Sequence, residues 1–174
     1  MMTSFALIRT GWGTAAVLGS DRGLAGFVWP QRSAGQARRM ALRLAGRASG
    51  IIEVPAERMC PGLAKRLGDY LAGRPVDFAD VPADLSALPA FTRRVLAELR
   101  RVGRGKTISY AGLARRVGRP NGARAVGRAM ASNPLPIIVP CHRVVRSDGG
   151  LGGYSGPGGV ASKRRLLAME ASGE

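Results

Sequence analysis

Acidic side chains, histidine, cysteine and long apolar runs are all scarce in this 174-residue chain. Eleven Asp and Glu face 27 Lys and Arg, a formal net charge of +16. A surplus of that size argues for a polyanionic partner, because basic residues release counterions from a phosphate backbone. An anionic membrane surface and an Arg-rich solvated surface are the competing readings. No apolar run approaches the roughly 20 residues that cross a bilayer. The opening "MMTSFALIRTGWG" has too short an apolar stretch for a secretion signal and no basic residue ahead of it. Two cysteines, Cys60 and Cys141, make no disulfide framework, and one histidine adds too few ligands for a structural zinc site. These absences point to a cytoplasmic protein with reduced thiols.

The first half reads as a small α+β unit. "FALIRT", "TAAVLGS" and "GLAGFVWP" are short apolar runs separated by turn residues, the pattern of a strand meander. In "SAGQARRMALRLAG", Ser33 and Gln36 have capping-box spacing, and Ala37, Met40, Ala41 and Leu44 recur at helical spacing. "IIEVPA" is a further strand candidate. "PGLAKRLGDYLAG" predicts a second helix through Leu63, Leu67, Tyr70 and Leu71, ending near Gly73. Cys60, just ahead of it, reads as a small buried thiol. Residues 74–89 contain three prolines and look like a connector. The expected division is 1–80, a connector over 81–89, and 90–174.

Beyond the connector, "AFTRRVLAELRRV" puts Phe91, Val95, Leu99 and Val102 on one helical face and arginines on the other. Ser109 is a good N-cap for a helix carrying Leu113, Ala114 and Val117, which Gly118 and Pro120 end. Asn121 then opens a second helix to about Ser132, giving a helix-turn-helix pattern. That second helix is slim: Gly122, Ala123, Ala125, Gly127, Ala129 and Ala131 are small, while Arg124 and Arg128 project. A slim face with isolated arginines fits the narrow minor groove of double-stranded DNA. Tight helix packing explains the same residues equally well.

"PIIVPCHRVV" sets Cys141 beside the chain's only histidine, His142. A thiol becomes a nucleophile through a base or a positive field. On an extended segment the two side chains point to opposite faces, so a bridging water would have to relay the proton. Glu170, at the end of "SKRRLLAME", is a candidate to orient the ring. The residues by themselves leave a catalytic and a buried thiol open.

"PCHRVV", preceded by "SY…RAVGRAMASNPLPIIV" and followed by "GGYSG" and "KRRLLAME", closely resembles the O6-alkylguanine-DNA alkyltransferases over about 106–170. Over residues 1–80 the resemblance, to a ribonuclease H-like N-terminal unit, is one of pattern only. It implies an α+β protein whose mostly helical C-terminal domain carries a winged-helix-like DNA-binding motif. It also implies direct-reversal repair: the alkyl group of O6-alkylguanine in DNA, with O4-alkylthymine as a further candidate, passes irreversibly and stoichiometrically to Cys141. His142 and Glu170 would form the proton relay, and Tyr110 would protonate the leaving guanine. Asn133 would brace the turn before the cysteine, while Val144, Tyr154, Ser155 and Gly156 would hold the base. Arg124 would fill the space of the flipped base, with Ala123, Gly127 and Arg128 on the DNA-facing helix. The resemblance implies no metal, no cofactor, no membrane partner and no obligate protein partner, and the site of action would be nucleoid DNA in the cytoplasm. The link "YSGPGGVASK" is two residues longer than relatives commonly have. The alternative is a non-catalytic damage-recognition protein or a methylation-responsive DNA-binding regulator.

Overall fold

The computed structural model describes residues 2–46 and 50–172. Its elements are mixed helix and sheet, and its contacts divide the chain into two units. The first comprises 1–76 with 80–85, the second 77–79 with 86–174. Segment 74–89 is therefore more than a tether. Phe78 and Val81 within it are buried, at 4% and 1% exposure, because the apolar residues between its prolines have cores to enter.

The first unit is a sheet in the order β3-β2-β1-β4. The expected meander forms as β1 (Ser4–Thr10), β2 (Gly13–Ser20) and β3 (Gly23–Gln31), all antiparallel. β2 is buried from Thr14 to Gly19, as a central strand covered on both faces must be. Pro30 is tolerated because β3 lies at an edge of the sheet, where a missing N–H donor breaks no ladder. The candidate strand at "IIEVPA" shrinks to a two-residue parallel edge, β4 (Ile52–Glu53).

Helix α1 (Ala34–Ala45) begins at Ser33, whose hydroxyl accepts from the Gln36 N–H at 3.3 Å. The four residues at helical spacing do form a helix, and they divide by size. Ala37 and Ala41 are fully buried, whereas Met40 and Leu44 are 42% and 45% exposed. The two alanines let the helix lie close on β2 and β3, and the longer side chains flank that contact, Leu44 reaching back over Gly26 of β3. After a short turn of helix, α2 (Ala56–Met59), helix α3 (Leu63–Leu71) buries Leu63, Leu67, Tyr70 and Leu71 as its spacing predicts. Cys60 is buried as expected, and burial raises its thiol pKa.

In the second unit, α4 (Ala90–Leu99) buries Val95, Leu96 and Leu99, and Val102 follows just beyond it. Phe91 is only half buried and lies under the Arg119 guanidinium, 5.4 Å from the ring centre. Helix α5 (Tyr110–Arg116) is capped by Ser109, which accepts from the Gly112 N–H at 2.9 Å. Gly118 ends this region at φ +73, in the left-handed region. Helix α6 (Ala123–Ala131) starts two residues later than expected and has no side-chain cap, because Asn121 lies in the turn and Gly122 at the N-cap. Two-residue strands β5 (Ile108–Ser109) and β6 (Val144–Val145) pair in parallel. Helix α7 (Gly159–Ala171) then packs on the turn containing Cys141.

Candidate active site

Asn133 organises the approach to the cysteine. Its Oδ1 accepts from the Leu135 N–H at 3.0 Å, and its Nδ2 donates to the Val139 carbonyl at 2.8 Å. Between these contacts Ile137 sits at φ +75, a genuine outlier for a β-branched residue and a strain of roughly 1–3 kcal/mol. The side chain of Asn133 also hydrogen-bonds the Cys141 thiol. The sequence places Asn133 in this turn but gives no hint of contact with sulfur.

The segment that follows is a 3-10 turn over Cys141–Arg143, whereas the sequence suggests an extended one. Pro140 and the hydrogen bond from the Arg143 N–H to the Pro140 carbonyl, 2.9 Å, close it. The side chains still diverge. Cys141 lines a pocket of about 400 Å³ with Tyr110, Gly127, Met130, Ala131, Gly153, Tyr154 and Ser155. His142 turns away from it toward α7 and is fully buried.

There Glu170, 3% exposed, gathers a cluster of charge. His142 Nε2 lies 2.8 Å from Oε1. Arg143 donates twice, from Nε to Oε2 and from a terminal nitrogen to Oε1, both at 2.9 Å. The Gly105 N–H adds a bond at 3.3 Å. Burial pushes the carboxyl pKa up, but hydrogen bonds from His142 and Arg143 more than offset it, holding Glu170 well below the usual carboxylate range. Burial lowers the His142 pKa against the pull of Glu170, with Arg143 and Lys163 adding to the lowering. The arginine is the permanent cation of this cluster and the imidazole is neutral near pH 7. A carboxylate can only accept, so the neutral ring carries its proton on Nε2 and its lone pair on Nδ1.

Burial also raises the Cys141 pKa, more than Asn133 and Lys163 lower it, so the resting thiol holds its proton. Burial above all, with the nearness of Cys141, keeps Tyr154 protonated far above the usual range. The Tyr110 hydroxyl, also raised by burial and by Cys141, donates to the Gly153 carbonyl at 3.5 Å. The protein thus holds a protonated thiol between two phenols in a partly enclosed pocket.

Of the residues expected to hold the base, Tyr154 and Ser155 line the pocket; Val144 and Gly156 do not. Val144 is buried behind it, its carbonyl accepting from Lys163 Nζ at 2.5 Å. Gly156 admits the Tyr154 ring, since a Cβ there would stand 2.5 Å from Cε1. Arg124, Ala123 and Gly127 line an adjoining recess, and Arg128 lies with Arg124 along the turn from Gly118 to Ala125. Both arginines are exposed. The longer link after Tyr154 folds into a tight turn ahead of α7: Gly159 N–H reaches the Gly156 carbonyl at 3.0 Å and the Ser162 hydroxyl the Pro157 carbonyl. Glu170 consequently still meets His142.

Three lining or buried residues were not singled out from sequence. Arg143 was legible only as the residue after "CH". Lys163 is fully buried, 5.7 Å from the centre of the Tyr110 ring, and looks in sequence like one more basic residue of α7. Met130 lines the pocket as an ordinary apolar helix residue would line a core. Among the described residues no three His, Cys, Asp or Glu side chains gather as a metal site. No helix among them is long and apolar enough to cross a membrane.

These features define a two-unit α+β protein with a buried cysteine facing a pocket beside a basic helix. The family model of the 6-O-methylguanine DNA methyltransferase DNA-binding domain matches residues 90–172. The methylated-DNA–protein-cysteine methyltransferase of Mus musculus is 60% identical over 82 residues, 47% of this chain and 38% of that protein. That of Metallosphaera sedula is 44% identical over 111 residues, 64% of this chain and 67% of that protein. The structure of Mycobacterium tuberculosis OGT in complex with DNA superposes with a TM-score of 0.76 at 32% identity, covering 98% of this chain and 94% of that one. The chain belongs to the methylated-DNA–protein-cysteine methyltransferase family. It spans well under two thirds of the length of several curated relatives it matches, 38% of the mouse protein and 55% of that from Methanothermobacter thermautotrophicus.

Proposed function

We propose that the protein repairs DNA by direct reversal, taking the alkyl group of O6-alkylguanine, and of O4-alkylthymine as a second substrate, onto Cys141. The observation that carries this reading is the buried Cys141 at the floor of a pocket whose walls are Tyr110, Tyr154 and the α6 helix. A base must leave the duplex to reach such a thiol, and weak pairing of a damaged base lowers that cost of a few kcal/mol. Helices α5 and α6 act as a helix-turn-helix of winged-helix type, with α6 in the minor groove. Ala123 and Gly127 permit close approach, Arg124 fills the gap in the stack, and Arg128 meets the backbone. Val144 and Gly156 then serve the base-binding loop from behind, by holding Lys163 and the Tyr154 ring. The first unit is of ribonuclease H-like type, and the protein works on nucleoid DNA in the cytoplasm.

In the chemical step the thiol proton passes through water to Nδ1 of His142, and Glu170 stabilises the resulting imidazolium. The thiolate attacks the alkyl carbon; the S–C bond forms as the O6–C bond breaks, and the electron pair goes to guanine. Tyr110 supplies a proton to the ring and is restored from His142, so the thiol hydrogen ends on guanine. The thioether has no ready leaving group, so each molecule acts once.

Intact-protein and peptide mass after equimolar mixing with a duplex containing one O6-methylguanine tests the reading. The expected result is one methyl on the Cys141 peptide per lesion repaired. Unmodified protein that still binds the duplex would favour damage recognition without transfer. Arg124→Ala should slow transfer from duplex DNA on the order of tenfold, ~1.4 kcal/mol, and leave free O6-alkylguanine base unaffected. Equal losses on both substrates would remove the finger role.

A further inference from the structure

A second recess, about 520 Å³, adjoins the cysteine pocket and shares Tyr110 and Gly127 with it. It is lined by Ala111, Ala123, Arg124, Arg146, Ser147 and Asp148 as well. Asp148 is the single carboxylate lining either pocket, in a unit with 16 Lys and Arg against five Asp and Glu. It grips Arg146 in a fork: Nε lies 3.2 and 3.1 Å from its two oxygens, and a terminal nitrogen 2.8 Å from Oδ2. Both side chains remain about 60% exposed, at 63% and 59%. The backbone beneath is a closed turn, with Arg146 N–H to the Gly150 carbonyl at 2.7 Å and Gly150 N–H to Asp148 Oδ1 at 3.0 Å.

An exposed ion pair stabilises a fold very little. A carboxylate facing a cleft that receives a polyanion opposes binding unless a cation neutralises it. The fork that Arg146 offers to the carboxylate is the same geometry that recognises a phosphate oxygen pair. Resting on the alkyl-transfer reading, we propose that Arg146 binds the DNA phosphate flanking the extruded nucleotide, and that Asp148 is its resident counter-anion, displaced when that phosphate arrives. The pair keeps Arg146 extended over the recess and withholds its charge from backbone that has not been drawn in. The Arg124 side chain forms no ion pair among the described residues and sits across the same recess, so one arginine enters the stack while the other holds the backbone beside it.

Salt-dependent binding and single-turnover rates of full-length Arg146→Ala and Asp148→Asn variants test this, on duplexes with and without O6-methylguanine and on free O6-alkylguanine base. Asn keeps the Oδ1 acceptor, so the turn at Gly150 survives the second substitution. Arg146→Ala should weaken duplex binding several-fold and flatten the slope of log affinity against log salt by about one, with the free-base rate unchanged. Asp148→Asn should bind duplex more tightly, undamaged duplex most of all, with a steeper slope. An unchanged slope for both variants, or a fall in free-base rate matching the fall on duplex, would overturn the assignment. Wild-type protein run alongside separates the two readings: if it moves no methyl to Cys141, the alkyl-transfer reading fails first.

Discussion

The two units bury different kinds of matter. Among the described residues, the first unit encloses no charged side chain, and Thr14 and the Tyr70 hydroxyl are the polar side chains in a largely apolar interior. The second encloses Thr92, His142, Arg143, Lys163 and Glu170. It also holds most of the charge imbalance: 16 basic against five acidic residues, compared with 11 against six in the first. Buried charge is tolerated only when each group is partnered: His142 and Arg143 meet the Glu170 carboxylate, and Lys163 meets the Val144 carbonyl. A unit that merely packs can be made of hydrophobic patterning. A unit that performs chemistry holds ionisable groups away from water and depends on a network to keep them there.

The largest effect that bears on this contrast is at the reacting atom. Cys141→Ala should abolish alkyl transfer and leave duplex binding intact, as measured by mass spectrometry and by gel shift; loss of binding as well would make the cysteine structural. Glu170→Ala comes next. It strands the Arg143 guanidinium, and breaking a buried pair in this way costs about 3–5 kcal/mol in chemical denaturation. The matching change in the first unit, Asp80→Ala, removes the partner of a solvent-accessible Arg66 and should cost well under 1 kcal/mol. Similar losses for the two variants would break the comparison.

Acid should separate the units in the same order. The folded pKa of His142 lies below its ordinary value of 6.5, so the unfolded chain binds that proton first. Its contribution is complete above about pH 6.5 and declines as pH falls toward the folded value. Glu170, also depressed, adds a second loss below its ordinary value of 4.5. Thermal midpoints measured from pH 8 to pH 4 should fall through the first window, and His142→Gln should flatten that fall. The smallest effect expected is at the helix starts. Ser33→Ala and Ser109→Ala each remove one cap and should cost about 1 kcal/mol, alike in both units.

Legibility follows the same division. The strands of the first unit, its Ser33 cap and the buried face of α3 could be read locally, because alternation, capping and helical spacing act over a few residues. The exposure of Met40 and Leu44 on α1 was not legible, since spacing shows which residues share a side and not how closely two surfaces meet. In the second unit, the helices, the Ser109 cap and the exposed arginines of α6 were visible in the same way. The start of α6 was not: Asn121 is a good cap by residue type, but the turn after Gly118 needed it elsewhere.

What the sequence determined by itself was the local vocabulary: a strand meander, capped helices, a slim basic helix, and a cysteine beside a histidine after a proline. Its motifs also identified the family. Only the tertiary structure decided that Arg143 and Lys163, two of 27 basic residues, lie in the interior while Arg124 and Arg128 face solvent. It likewise decided that Asn133 reaches the thiol and that Val144 supports the pocket from behind. Charge and side-chain type are written in the chain. Burial, and hence which charge needs a partner and which proton is held, depends on residues 27 to 65 positions away that only folding brings into contact, as Glu170 is brought to His142, Arg143 and Gly105.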